Sequence, residues 1–193
     1  MQTDISHKLN PEGIISYKLN VGCGNDRIPD YVNIDIDRKS KADIIHDIRE
    51  GMPWKDGQIK EILFFHTIEH IEEKFHRFIL EEFHRVLEYN GILLISYPEF
   101  TICAQNYIDN VRGMRDFWKN TIYGLQRSAS DFHVSLMNSE LLVELLQNIG
   151  FQHIMYSKES EQEPWNTVML AHKNKSTKSY EELLNSEVLG VVD

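Results

Sequence analysis

Cysteine is scarce in this chain, and the two that occur, Cys23 and Cys103, stand far apart in sequence. That count makes neither a disulfide framework nor a zinc knuckle and fits a reducing compartment. Long apolar runs are missing too: none approaches the roughly 20 residues needed to cross a bilayer. The opening MQTDISHKLNPEG lacks the basic, apolar and small-residue zones of a secretion signal. A cytoplasmic protein without a membrane partner is expected. Basic residues are outnumbered, with 20 Lys and Arg against 30 Asp and Glu and a formal charge of −10. Phosphate neutralisation needs clustered cations, so nucleic acid is not the expected partner, and a small ligand or another protein is. What the chain does have is 193 residues that are 41% apolar, enough for one domain with a buried core.

The most informative stretch is Lys18 to Asp37, an apolar strand, a glycine turn and a second strand ending on carboxylates. Gly22 and Gly24 flank Cys23 where a strand must stop, and without a Cβ the backbone can turn sharply and admit a ligand close to the peptide plane. Asp35 closes the run Tyr31-Val32-Asn33-Ile34. A carboxylate at the tip of a neighbouring parallel strand can accept hydrogen bonds from two ribose hydroxyls, so the pair describes a nucleoside pocket.

Strands are predicted over Lys18 to Val21, Tyr31 to Asp35, Ala42 to Asp47, Glu61 to Phe65 and Ile92 to Tyr97. The links Asn25 to Asp30 and Ile36 to Lys41 are too short for the dozen or so residues of a helical crossover. One face of this half of the sheet should therefore lack helices. An N-terminal arm over 1–16, a polar C-terminal tail over 174–193 or a second subunit, as in a homodimer, is expected to cover it. A helix is predicted from Glu72 to Leu87, where Phe75, Phe78, Ile79, Phe83 and Val86 recur at three- and four-residue steps, with Asn90-Gly91 ending it in a left-handed turn. Asn138 or Ser139 caps a second helix, Glu140 to Ile149. Strands Phe151 to Lys158 and Thr167 to His172 close the domain, 17–173, and the irregular stretch 99–137 is expected to lie over the strand tips.

In their order these parts resemble the class I S-adenosylmethionine-dependent methyltransferases, especially small members with short first and second crossovers. The residues that carry the resemblance are Val21-Gly22-Cys23-Gly24-Asn25-Asp26, Asn33-Ile34-Asp35, Asp43 to Asp47, Pro53-Trp54-Lys55-Asp56, His66 to Ile71, His84-Arg85-Val86-Leu87 with Gly91, and Leu141 to Phe151. The resemblance implies a Rossmann-like α/β three-layer sandwich with a seven-stranded, mostly parallel sheet and one antiparallel strand. It implies S-adenosylmethionine as cofactor, with S-adenosylhomocysteine as product. Gly22, Cys23, Gly24 and Asn25 would approach the methionine moiety, Asp35 and Ile36 the ribose, Asp47 and Ile48 the adenine, and His66 would sit below the sulfonium. Asn20 stands where the family often has an acidic residue, and Asp26 where it has a third glycine. Asp37 and Asp43 compete with Asp47 for its role.

His70, Tyr97 and His133 fall on segments expected near the strand tips and are the candidates for a catalytic proton acceptor. The insert carries Arg112, Arg115, Lys119 and Arg127, which suit either an anionic acceptor such as a nucleotide-linked sugar or a solvated helix face. His66-Thr67-Ile68-Glu69-His70 matches the H-x-x-E-H pattern of a zinc peptidase. That chemistry requires one continuous helix, whereas His66 follows a buried strand, so no metal is expected. The resulting reading is methyl transfer to a small-molecule or glycan- or nucleotide-linked acceptor. The alternative is an inactive cofactor-binding partner of the same fold.

Overall fold

The structure, a computed structural model, describes residues 17–128 and 131–174. Strands β1 (Tyr17–Val21), β2 (Val32–Asp35), β3 (Ile44–Ile45), β4 (Ile59–Phe65), β5 (Leu87–Pro98), β6 (Gln152–Lys158) and β7 (Asn166–His172) form one sheet in the order β3-β2-β1-β4-β5-β7-β6. Pairings from β3 through β5 are parallel, and β7 runs antiparallel to both β5 and β6. This is the mostly parallel α/β sheet with one reversed strand that the sequence implied.

Alternation along the strands sends Leu19, Val21, Ile34, Ile62, Phe64, Leu93, Ile95 and Met169 to one face. There they pack under α1 (Glu73–Val86) and α4 (Ser139–Ile149), whose Ile79, Leu80, Phe83, Leu142 and Leu146 are buried. Phe64 meets Phe83 edge-on at 5.1 Å between ring centres. The Asn138 side chain caps α4 by accepting from the Glu140 and Leu141 amides, and Gly150 ends it in the left-handed region.

The exit from α1 differs from the prediction. Leu87 is already extended, and Lys173 Nζ donates to the Arg85 and Leu87 carbonyls, satisfying acceptors the helix end leaves open. Asn90 and Gly91 take no positive φ; they lie within β5, where pairing passes from Ile59↔Leu87 to Glu61↔Ile92. The extra residues form a bulge rather than a helix stop.

No helix joins β1 to β2 or β2 to β3, as their short links require. Between β3 and β4 there is a single 3-10 turn, Ile48–Glu50, and a loop tied to α1 by charged side chains. Glu82 accepts from the Met52 amide at 2.8 Å and from Arg85, which in turn donates to the Met52 and Trp54 carbonyls and to Asp56. Met52 and Trp54 are thereby held in the core.

On the opposite face Leu63, Leu94 and Leu170 are buried, flanked by Ile28, Tyr31, Phe65, Ile92 and Met155. Glu61, also buried, accepts from the Tyr31 hydroxyl and pairs with Lys18 at 3.4 Å. Among the described residues no helix packs here. The arm over 1–16 and all of the tail except Asn174 lie outside the described residues.

Two variants test this frame. Arg85 above all, then the Met52 amide, holds the Glu82 carboxyl below its ordinary 4.5. A depressed native pKa stabilises above the unfolded value and stops doing so as pH falls through the native one. Urea denaturation of Glu82→Gln should therefore show a loss of about 1–2 kcal/mol at pH 7 that fades as pH drops below 4.5. Gly22 has φ +74, and a Cβ built there would lie 2.1 Å from Thr67 Oγ1, whereas at Gly24, φ +50, it would meet nothing within 4 Å. Thermal unfolding should show Gly22→Ala losing about 2–4 kcal/mol, from backbone strain and overpacking together, and Gly24→Ala only about 1 kcal/mol.

Candidate functional site

The strand order reverses between β1 and β4, and in open α/β sheets that is where a crevice opens at the carboxyl ends of the strands. An open cavity of about 600 Å³ lies there, within the usual range for small-molecule sites. Gly22, Gly24, Asn25, Asp35, Ile36, Asp47, Ile48, His66 and His70 all line it. The turn is rigidly set: the Gly22 and Cys23 amides both donate to the Ile34 carbonyl, at 2.8 and 3.0 Å. Asp35 accepts from the Gly24 amide on Oδ2 and from the Asp37 amide on Oδ1, each at 2.7 Å. Each oxygen keeps a second lone pair, so the carboxylate is oriented and can still receive two hydroxyls. Ile36 beside it leaves 49% of its surface exposed, an apolar wall suited to a flat heterocycle.

Asp47 caps the 3-10 turn and is gripped by Arg49, whose hydrogen bond is the largest influence holding that carboxyl below its usual range. Asp43 is taken up elsewhere: it accepts from Arg27 at 2.7 Å and from the Asn33 amide, and it does not line the cavity. Asp37 does line it. Cys23, contrary to the expectation, does not line the cavity; its thiol is buried and pushed up to about 11 by burial and then by Asp35. The Asn20 amide donates to Asn33 Oδ1 and to the Asp26 carbonyl, so it serves the turn rather than the cavity.

The far wall is built after β4. His66 sits at φ +46, a conformation costly for a non-glycine residue. Its Nε2 lies 3.1 Å from both Glu159 Oε2 and Ser96 Oγ, and its Nδ1 3.6 Å from Glu69 Oε1. Burial opposes its charging, but Glu159 and Glu69 prevail and push it up to about 10, so the ring is an imidazolium at neutral pH. The 3-10 turn Ile68–His70 follows. His70 Nδ1 lies 3.0 Å from the Phe132 carbonyl; a carbonyl only accepts, so Nδ1 carries the hydrogen and Nε2 of the neutral ring keeps a lone pair. The Val134 and Ser135 amides both donate to the Glu69 carbonyl, which brings His133 edge-on to His70 at 4.8 Å. Burial first, and His70 beside it, lower the pKa of His133 against the pull of Glu69.

Tyr97 does not reach the cavity, contrary to the sequence-based expectation. Its ring is fully buried on the helix-covered face, its hydroxyl 3.0 Å from Ser139 Oγ, and burial raises its pKa. Residues 93, 95 and 97 of β5 share that face, so alternation turns it away. The H-x-x-E-H run is not a helix either: β4 ends at Phe65 and His66 turns left-handed. The insert contains α2 (Phe100–Ile108) and α3 (Arg115–Tyr123), secured where Phe117, Trp118 and Trp165 meet edge-on within 5.3 Å. None of Arg112, Arg115, Lys119 and Arg127 lines the cavity, and Lys119 and Arg127 pair with Asp116 and Asp131. Sequence reasoning missed Thr67, which fills the space beside Gly22, and Lys39, Ser40, His46 and Arg49 on the rim. Only their nearness to the predicted carboxylates could have signalled them.

No protein-family model and no curated protein matches the sequence. Solved structures do. A SAM-dependent methyltransferase from Archaeoglobus fulgidus superposes with a TM-score of 0.60 at 14% identity, over 82% of this chain and 87% of that one. One from Methanosarcina mazei gives 0.59 at 16% identity, over 90% and 99%. A third, from Thermotoga maritima, gives 0.58 at 15% identity, over 82% of each chain. With the strand order, the reversed β7 and the cavity at the switch point, these likenesses establish that the chain has the class I fold of the S-adenosylmethionine-dependent methyltransferases.

Proposed function

We propose that the protein binds S-adenosylmethionine in this cavity and transfers its methyl group to a small-molecule acceptor. The observation that carries the reading is the convergence of the left-handed Gly22 turn, the oriented Asp35 carboxylate and the exposed Ile36 on one open space. Gly24 leaves room for a ligand against the backbone, Gly22 makes the left-handed turn packed against Thr67, Asp35 receives the ribose hydroxyls, and Ile36 and Ile48 flank the adenine. Asp47, already engaged by Arg49, contributes mainly by fixing the Ile48 turn. The cofactor supplies an activated methyl group, so the chain's task is to align an acceptor and, where it is a hydroxyl or ammonium, to remove a proton.

The acceptor side is marked by His70, whose Nε2 lone pair can take a proton or bind a cation. The insert cations give no support to an anionic acceptor such as a nucleotide-linked sugar, because none of the four meets the cavity. An inactive partner of the same fold would share the cofactor side, and methyl transfer to an acceptor panel separates it from an enzyme.

Calorimetry with S-adenosylhomocysteine tests the binding half directly. Asp35→Ala should weaken affinity by about 1.5–3 kcal/mol, roughly 10- to 150-fold, as for loss of hydrogen bonds to a charged group. Unchanged affinity in that variant would mean that the ribose lies elsewhere.

A further inference from the structure

Two of the three chemically active residues of the H-x-x-E-H run meet a partner that the run does not contain. Glu69, His70 and His133 each offer one ligand atom, and those atoms lie within 4.8 Å of one another. Donors about 2.0–2.2 Å from a common ion sit roughly 3–4 Å apart, so side-chain rotations of about an ångström would close the set. A second observation points the same way. Glu69 is 2% exposed, and its Oε2 has no hydrogen-bond partner among the described residues. A buried, unpartnered carboxylate oxygen is costly, and a cation offsets that cost where a neutral neighbour does not. Glu69 and His133 also line a recess of about 10 Å³, room for a single water-sized body, while His70 lines the large cavity and not this recess.

We propose that Glu69, His70 and His133 form a binding site for one divalent first-row transition-metal ion at the rim of the large cavity. The donor set decides the class of ion: two imidazoles and one carboxylate suit zinc, iron or cobalt, whereas magnesium and calcium prefer all-oxygen shells. His70 is prepared for the role, because its Nδ1–H is held by the Phe132 carbonyl and Nε2 is left to coordinate, the usual outer-shell device at metal-bound histidines. His133 is delivered by the Val134 and Ser135 amides, which both donate to the Glu69 carbonyl. Three protein ligands leave coordination positions open, and since His70 also lines the large cavity, an oxygen-bearing molecule there can complete the shell. His66, the remaining member of the run, is held by Glu159 and Ser96 and faces the other Glu69 oxygen, Oε1, at 3.6 Å, so it stays outside the set while Oε2 is left unpartnered among the described residues. The sequence argued against a metal because it paired His66 with His70; the fold pairs His70 with His133.

The test uses the full chain without a polyhistidine tag, stripped with chelator and titrated with Co²⁺ and Zn²⁺ by calorimetry and, for Co²⁺, visible absorption. One equivalent should bind, with d–d bands for Co²⁺, and Mg²⁺ should not compete. Glu69→Gln and His133→Ala should each weaken Co²⁺ affinity at least ~10-fold, while His153→Ala, an exposed histidine on β6, leaves it unchanged. Should Glu69→Gln fail to fold, His133→Ala, at a half-buried position, decides alone. Absence of binding up to about 1 mM, or binding undiminished in His133→Ala, would overturn the site. S-adenosylhomocysteine titrated into His133→Ala keeps this result apart from the cofactor reading, since that residue does not line the large cavity.

Discussion

The structure depends first on how a strand-to-strand link too short for a helix satisfies its own backbone, and the side chain of Asn33 is the hub of that solution. It is 1% exposed. Its Oδ1 accepts from the Ile28 amide and from Asn20, and its Nδ2 is shared among the Ile28 and Tyr31 carbonyls and Asp43. Its own backbone joins Asp43 in both directions, the amide donating to the carboxylate and the carbonyl accepting from the Asp43 amide. An amide group can do this because it offers donors and acceptors together, where a carboxylate at the same place could only accept. The consequence reaches the site. With the Ile28 turn fixed, Gly22 and Cys23 close onto Ile34, and Asp35 is left at the tip with its oxygens set by Gly24 and Asp37.

That hub explains two departures from the wider family pattern that the sequence displays. Asn20 in place of an acidic residue becomes a structural amide, donating to Asn33 and Asp26. Asp26 in place of a third glycine sits in a turn that no helix follows, so close helix packing, one reason for that glycine, does not arise. The same economy of helices leaves the second sheet face with Leu63, Leu94 and Leu170 buried beside the Tyr31–Glu61–Lys18 group.

The strand-tip wall of the cavity was legible because its parts are local. Gly22, Gly24, Asp35, Ile36, Asp47, Ile48 and His66 sit at strand ends, and strand ends are where alternation and turn chemistry leave marks in sequence. Tyr97 was misread because the pattern gives a period without saying which face the helices take. Asn90-Gly91 was misread because the same dipeptide serves a bulge, and the carbonyls at the helix end are met by Lys173, 86 residues beyond Leu87. The meeting of His70 with His133 left no mark at all, since it depends on residues 133–135 returning to a turn some sixty positions earlier.

The two walls of the cavity therefore differ in how they are held, and so in what change they tolerate. The Gly22–Asp35 wall is fixed locally, by the Gly22 and Cys23 amides on Ile34 and by the Gly24 and Asp37 amides on the Asp35 carboxylate. The His66–His70 wall is held from distant segments: by the Glu159 side chain from the loop after β6, and by main-chain groups of 132–135 from the return of the insert. His66 is a cation between Glu159 and Glu69. One wall is thus local to a single strand-turn-strand unit and the other is assembled from separable segments. Sites carried on loops over a fixed scaffold follow this pattern, and in this chain the division falls between β1–β2 on one side and the 3-10 turn Ile68–His70 on the other.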